Sequence, residues 1–173
     1  MTPTGSQPLV SVVMPAYNVA WCIGRAVDSV LAQDYRAREL IVVNDGSTDA
    51  TRAALEAYRG EITLIDQENR GMSAARNVAI GNARGAYVAF LDADDRWLPQ
   101  KLSRQVELME SRPEIGFCST AARVEDGDGR LLNLWSCRHG SIEMLATLFA
   151  ENAAIAGGCS AVMVRKHLVE RVG

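Results

Sequence analysis

Apolar and polar positions along the chain alternate between two periods. Residues 9–14, "LVSVVM", are apolar and mostly β-branched on both faces, as a strand buried within a parallel sheet requires, and Pro15 closes the run. "WCIGRAVDSVLAQ" (21–33) instead spaces Ile23, Val27, Val30 and Leu31 as one face of a helix. Both signals recur. "ELIVVND" (39–45) reads as a strand, and "GSTDATRAALEAYRG" (46–60) as a turn and a helix, with Ser47 or Thr48 as N-cap and Gly60 as its stop. "EITLID" (61–66) is a third strand, "GMSAARNVAIGNARG" (71–85) a helix closed by Gly85, and "AYVAFLD" (86–92) a fourth strand. "PQKLSRQVELMES" (99–111) is a helix with Pro99 near its first turn, ended before Pro113.

Short apolar strands separated by helices need crossover connections. They predict an α/β fold with a mainly parallel central sheet flanked by helices in a three-layer sandwich. After residue 113 the pattern loosens. "IGFCSTAARVE" (115–125) and "RLLNLWS" (130–136) read as strands joined by "DGDG" (126–129), a hairpin turn rather than a calcium loop, because the glutamate at position twelve of such loops is missing. "SIEMLATLFAEN" (141–152) reads as a helix and "CSAVMVR" (159–165) as a late strand.

The 173 residues suit one domain, expected over 9–173 behind a flexible segment at 1–8. With 18 basic against 21 acidic residues and no basic stripe, nothing points to nucleic acid. The opening has no signal-peptide pattern, and no long apolar run follows, so a cytosolic chain is expected, held at a membrane only through a partner or another segment. Cys22, Cys118, Cys137 and Cys159 lack paired spacing and read as reduced, mostly buried thiols. His139 and His167 read as surface or packing residues, and Trp21, Trp97 and Trp135 as core or crevice walls.

In a parallel α/β sheet, ligands gather beyond the carboxyl ends of the strands. The polar groups of this chain fall there. Pro15, Tyr17 and Asn18 follow the first strand, Asn44 to Ser47 the second, Asn69 to Gly71 the third, and Asp92, Asp94 and Asp95 the fourth. If the strand stays extended, Asp92 and Asp94 project to one side with side-chain roots roughly 7 Å apart, and a divalent cation would relieve their repulsion. Hard carboxylate oxygens without soft ligands suit Mg²⁺ or Mn²⁺ shared with phosphate. A helix-capping role for Asp94 or Asp95 is the alternative. Asp45 could accept the ring N–H of a base, and Arg70 or Arg76 could neutralise a diphosphate; an ordinary surface pair is the alternative for Arg76.

"VSVVMPAYN", "ELIVVNDGSTDAT", "ENRGMSAARNVAI" and "YVAFLDADDRWLPQKL", in this order, resemble the family 2 glycosyltransferases, which have the GT-A nucleotide-diphospho-sugar transferase fold. The resemblance runs from about residue 9 to the end. It implies inverting transfer of a sugar from a nucleotide donor, UDP favoured over GDP or dTDP, to a hydroxyl of a saccharide, lipid-linked or protein acceptor, dependent on Mn²⁺ or Mg²⁺. By the same resemblance the nucleotide-sugar site comprises Pro15, Ala16, Tyr17, Asn18, Asp45, Arg76, Asp92, Ala93 and Asp94, with Asp94 and Asp95 at the metal. Asn44 departs from the Asp of many relatives, but its amide could still orient the loop. The family's general base is expected beyond Gly173, which makes this the donor-binding part of a longer enzyme, with Glu143 and Glu151 as weaker substitutes. A catalytically silent nucleotide-sugar-binding fragment and a Mg²⁺-dependent phosphohydrolase are the alternatives.

Overall fold

A computed structural model describes residues 7–136 and 158–172. Strands β1 (Val10–Ala16), β2 (Arg38–Asp45), β3 (Thr63–Gln67) and β4 (Tyr87–Phe90) alternate with helices α1 (Ile23–Leu31), α2 (Thr51–Glu56) and α3 (Met72–Asn82), and α4 (Lys101–Ser111) follows. They join β5 (Phe117–Ser119) and β8 (Val162–Arg165) in one sheet of order β3-β2-β1-β4-β8-β5. The first four strands are mutually parallel, whereas β8 runs antiparallel to both β4 and β5. The sheet is thus mainly parallel, as the alternation predicts, with one reversed strand that the alternation does not reveal.

Alternation of side chains across the pleat explains why β1 is apolar throughout. Val12 and Met14 point into a core with Ile23, Val27 and Val30 of α1, Leu55 of α2, and Leu102, Val106 and Met109 of α4. Val13 points the other way, with Ile41, Val43 and Val88, against Ala75 and Ala79 of α3. Both faces are covered, so no position in the strand tolerates exposure.

Strands β6 (Ala122–Glu125) and β7 (Leu131–Trp135) form a separate antiparallel pair. Asp126 accepts the N–H groups of Asp128 and Arg130, so the joint between them is a hairpin turn as expected, with its carboxylate committed to the backbone. A short helix, α5 (Lys166–Val172), ends the described part. The expected helix over 141–152 lies outside the described residues, as do Cys137 and His139.

Two local expectations are corrected. Neither Ser47 nor Thr48 caps α2: Ala50 stands at the N-cap with no side-chain cap hydrogen bond, and just before it Asp49 Oδ1 accepts both the Thr51 N–H and the Thr51 hydroxyl at 2.9 and 2.5 Å. A carboxylate is a stronger acceptor than a hydroxyl, and Ser47 is taken by the Asn18 N–H. Gly85 does not close α3 either. A Cβ there would stand 2.6 Å from the Leu9 carbonyl oxygen and 2.7 Å from the Ser11 nitrogen, so the residue serves the close approach of the chain to β1.

Lys101, at 8% exposure, is buried where α4 meets the sheet. Its Nζ donates to Gln105 Oε1 at 2.6 Å and lies 4.0 Å from the Trp97 ring centre. Desolvation dominates and pushes its pKa down to about 7, against a smaller opposing pull from Cys118. Free lysine in the unfolded chain titrates near ~10.4. The unfolded chain therefore binds the extra proton between these values, and stability rises with pH across that window. Lys101→Met is expected to raise stability at pH 7 by about 1–2 kcal/mol and to flatten that rise, read by urea unfolding at pH 7 and pH 10.

Candidate functional site

The crevice opens where β1 parts from β4. Leu91 N–H donates to the Val13 carbonyl, so the alternation along β1 turns Pro15 to the same side, where it has no N–H to offer. Pairing of β1 with β4 stops at Val13 and Phe90, while pairing with β2 continues to Ala16 and Asn44. The strand order reverses direction at β1, which is where a parallel sheet presents a ligand crevice. A cleft of about 470 Å³ lies there, walled by Pro15, Ala16, Tyr17, Asp45, Asn69, Gly71, Met72, Asp92, Ala93 and Asp94 among others. Three stretches far apart in sequence, after β1, β2 and β4, thus meet with the loop before α3.

Asp45 is the most committed carboxylate of the cleft. It is 2% exposed and accepts Gln67 Nε2 at 2.6 Å and the N–H groups of Arg70 and Gly71, each at 2.9 Å. Burial alone would raise its pKa, but these hydrogen bonds outweigh it and hold the carboxyl below the usual range. The turn beyond it needs Gly46, at φ +71°, because a Cβ would meet the Asn69 nitrogen at 2.7 Å. Asn44 orients this loop, its Oδ1 accepting the Ser47 N–H and its amide donating to Asp66.

Asn18 does not wall the cleft. At φ +53° its Oδ1 accepts the N–H groups of Thr48 and Asp49, which laces the loop after β1 to the loop after β2. Its role is to hold two walls together.

The three carboxylates after β4 have three different fates. They do not sit on an extended strand as expected: Asp95 N–H donates to the Asp92 carbonyl, and the chain turns over Ala93 and Asp94. A tight turn separates the directions of side chains that an extended strand would align. Asp92 pairs with Arg76 Nη2 at 2.5 Å. Asp95 is hydrogen-bonded by Ser160, and its pKa is raised, first by desolvation and then by the negative charges of Asp94 and Asp92. Asp94 is exposed at the cleft wall and has no hydrogen-bond or ion-pair partner among the described residues.

This donor set fits Mn²⁺ or Mg²⁺. It supplies hard oxygens only, from carboxylates close enough together that Asp94 and Asp92 add to the desolvation that raises the pKa of Asp95. No three carboxylates, imidazoles or thiolates among the described residues converge into a preformed cage. An ion held by one or two carboxylates and otherwise by phosphate needs none.

Two aromatic expectations change, while the thiols described are mostly buried as expected. Trp97 is buried, its indole N–H donating to the Ser160 carbonyl at 2.8 Å, but Trp21 and Trp135 are 74% and 50% exposed rather than walls. Cys22 and Cys118 are buried, whereas Cys159 is exposed. His167 is a surface residue as expected. Glu143 and Glu151 lie outside the described residues. Ser160 is the site residue that sequence reasoning missed, since only the reversed strand β8 carries it to the acidic turn.

The sequence description of Glycosyl transferase family 2 matches residues 11–170. TuaG of Bacillus subtilis, a glycosyltransferase ascribed to teichuronic acid biosynthesis, is 42% identical over 130 residues, covering 72% of this chain and 51% of the relative. The Escherichia coli UDP-Glc:alpha-D-GlcNAc-diphosphoundecaprenol beta-1,3-glucosyltransferase WfgD is 43% identical over 103 residues, 58% of this chain and 41% of the relative. Among solved structures, the mannosyltransferase PcManGT of Pyrobaculum calidifontis, in complex with GDP-Man and Mn²⁺, superposes with a TM-score of 0.72 at 28% identity, over 97% of this chain and 47% of that one. The chain spans about half the length of the relatives it matches. No helix among the described residues is long and apolar enough to cross a membrane.

Proposed function

The chain belongs to glycosyl transferase family 2 and has the GT-A fold, and on that premise we propose that the cleft between β1 and β4 binds a nucleotide-diphospho-sugar, with UDP as nucleotide, for transfer of its sugar to an acceptor hydroxyl. The observation that carries the reading is Asp94, a carboxylate with no hydrogen-bond or ion-pair partner among the described residues, on the wall of a cleft that is otherwise braced by its own hydrogen bonds. The family assignment removes the reason for a phosphohydrolase reading of the same aspartates.

Pro15, Ala16 and Tyr17 form the wall for the base. Asp45 spends three acceptor sites on the chain and keeps about one of its four for a ring N–H. Arg76 holds Asp92 toward the ribose side and brings positive charge near the diphosphate. Asp94 and Asp95 would hold Mn²⁺ or Mg²⁺, which when bound supplies Lewis-acid relief for a departing nucleoside diphosphate. In a single displacement the acceptor oxygen bonds to the anomeric carbon as the bond to the diphosphate breaks, so the sugar's configuration inverts. The acceptor's proton passes to a general base, for which Glu143 and Glu151 are this chain's candidates. The diphosphoundecaprenol in the name of WfgD supports a lipid-linked saccharide as acceptor, and the name of TuaG supports a place in polysaccharide synthesis.

Calorimetry with UDP and GDP, each with and without MnCl₂, tests the donor site. UDP is expected to bind tighter than GDP, and at least tenfold tighter with the ion than without. Absence of binding by either nucleotide, or binding indifferent to the ion, would overturn the assignment.

A further inference from the structure

The main chain of the acidic turn is held by a residue sixty-odd positions away in sequence. Ser160, 7% exposed, stands in the 3₁₀ turn Cys159–Ala161 that leads into β8. Its Oγ accepts the Asp92 N–H at 3.0 Å, and the same hydroxyl hydrogen-bonds the Asp95 carboxylate. One hydroxyl has one proton to donate and two lone pairs to accept with, so both contacts are served at once. The Ser160 carbonyl accepts the Trp97 indole N–H at 2.8 Å, which fixes Ser160 from behind. The remaining tie on the turn comes from Cys22, whose thiol donates to the Ala93 carbonyl at 3.3 Å.

The distribution of ties is informative. Asp92 is bound at its N–H by Ser160 and at its carboxylate by Arg76, and Asp95 at its carboxylate by Ser160. Asp94, between them, has no such partner among the described residues. A single hydroxyl thus orients both neighbours of the open carboxylate. Trp97, Ala161 and Met163 behind Ser160 are buried, so the support is packed where the cleft is open.

We propose that Ser160 is a positioning residue for the acidic turn, aiming Asp94 at the cation and phosphates of the donor by fixing the residues on either side of it. This deepens the donor-site reading and rests on it. Ser160 touches neither base nor sugar in this arrangement; it acts through Asp92 and Asp95.

Three variants of the full chain separate this role from general support: Ser160→Ala removes the hydroxyl, Ser160→Cys keeps the volume but bonds weakly, and Ser160→Thr keeps the hydroxyl. UDP affinity is measured by calorimetry with and without MnCl₂, beside the melting temperature. Wild type is expected to gain at least tenfold in UDP affinity from the ion. Ser160→Ala and Ser160→Cys are expected to lose about tenfold in the ion-dependent affinity, the range of one hydrogen bond to a charged group, while UDP alone binds within twofold of wild type. Ser160→Thr is expected to restore the gain. If Ser160→Ala does not fold, Ser160→Cys and Ser160→Thr carry the comparison.

Equal losses with and without the ion would make Ser160 a structural residue only and overturn the proposal, as would an undiminished ion-dependent gain in Ser160→Ala and Ser160→Cys. A wild type that gains nothing from the ion sinks the donor-site reading, and the positioning role with it. A wild type that gains while the variants gain equally sinks the positioning role alone.

Discussion

Replacing Asp94 by Ala is expected to remove the ion dependence of nucleotide binding almost entirely, a loss of about a hundredfold or roughly 2.8 kcal/mol at ~1.4 kcal/mol per decade. The size follows from the inventory of the acidic turn. Asp92 is committed to Arg76, and Asp95, the second ligand proposed for the ion, is tied to Ser160, so neither can take over the coordination that Asp94 gives up without breaking a bond it already makes. The same variant should leave the melting temperature within about a degree of wild type, because Asp94 is exposed and bonds to no side chain among the described residues. Calorimetry of UDP with and without MnCl₂, beside a thermal melt, checks both halves. An Asp94→Ala protein that keeps its response to the ion would remove this carboxylate from the donor site.

Asp45→Ala should behave in the opposite way, costing stability first. The substitution strands the N–H groups of Arg70 and Gly71 and the Gln67 amide around a buried position, and hydrogen bonds to a charged acceptor are worth about 1.5–3 kcal/mol each before non-additivity. A net loss of about 3 kcal/mol in urea unfolding is expected. Its pH dependence has a definite sign. The folded pKa is depressed, so the stabilisation is complete above the unfolded value near ~3.9 and is lost as pH falls through the folded value. Asp45→Asn should therefore shallow the acid limb of the stability curve. It should also weaken UDP more than free pyrophosphate, since the base-facing lone pair goes with the charge; equal losses would leave Asp45 a brace with no part in reading the base.

These two variants show how unevenly the sequence announces its site. The apolar runs of β1, β2 and β4 are legible because strands covered on both faces leave no choice of residue, and their polar ends mark the rim for the same reason. Asp45 is legible as a rim residue. That it braces the Asn69–Gly71 loop is not, because the donors come from a segment two elements later in the chain. Asn18 is similar: its position suggests a ligand contact, yet its amide oxygen is spent on the backbone of a neighbouring loop. That same lacing takes Ser47 away from the start of α2, its hydroxyl accepting the Asn18 N–H while Ala50 stands at the N-cap. Trp21 and Trp135 illustrate the limit for apolar residues, since hydrophobicity alone does not say which side of a loop a ring will face. The least legible feature is the reversal of β8. A four-residue apolar strand reads identically in either direction, and only pairing with β4 decides that Ser160 arrives at the carboxyl end of the sheet.

That reversed strand also bears on how the molecule assembles. Contacts within β1, α1 and β2 join near neighbours along the chain, whereas Val162–Arg165 must find Tyr87–Phe90 across an intervening stretch that includes α4, β5, β6 and β7, and the closure entropy is lost before any pairing repays it. The half of the sheet built from β1, β2 and β3 can therefore condense early, while the acidic turn acquires its hydroxyl anchor only as β8 docks. Until then β4 presents an unpaired edge, and that order of events makes the acidic turn the last part of the cleft to be fixed.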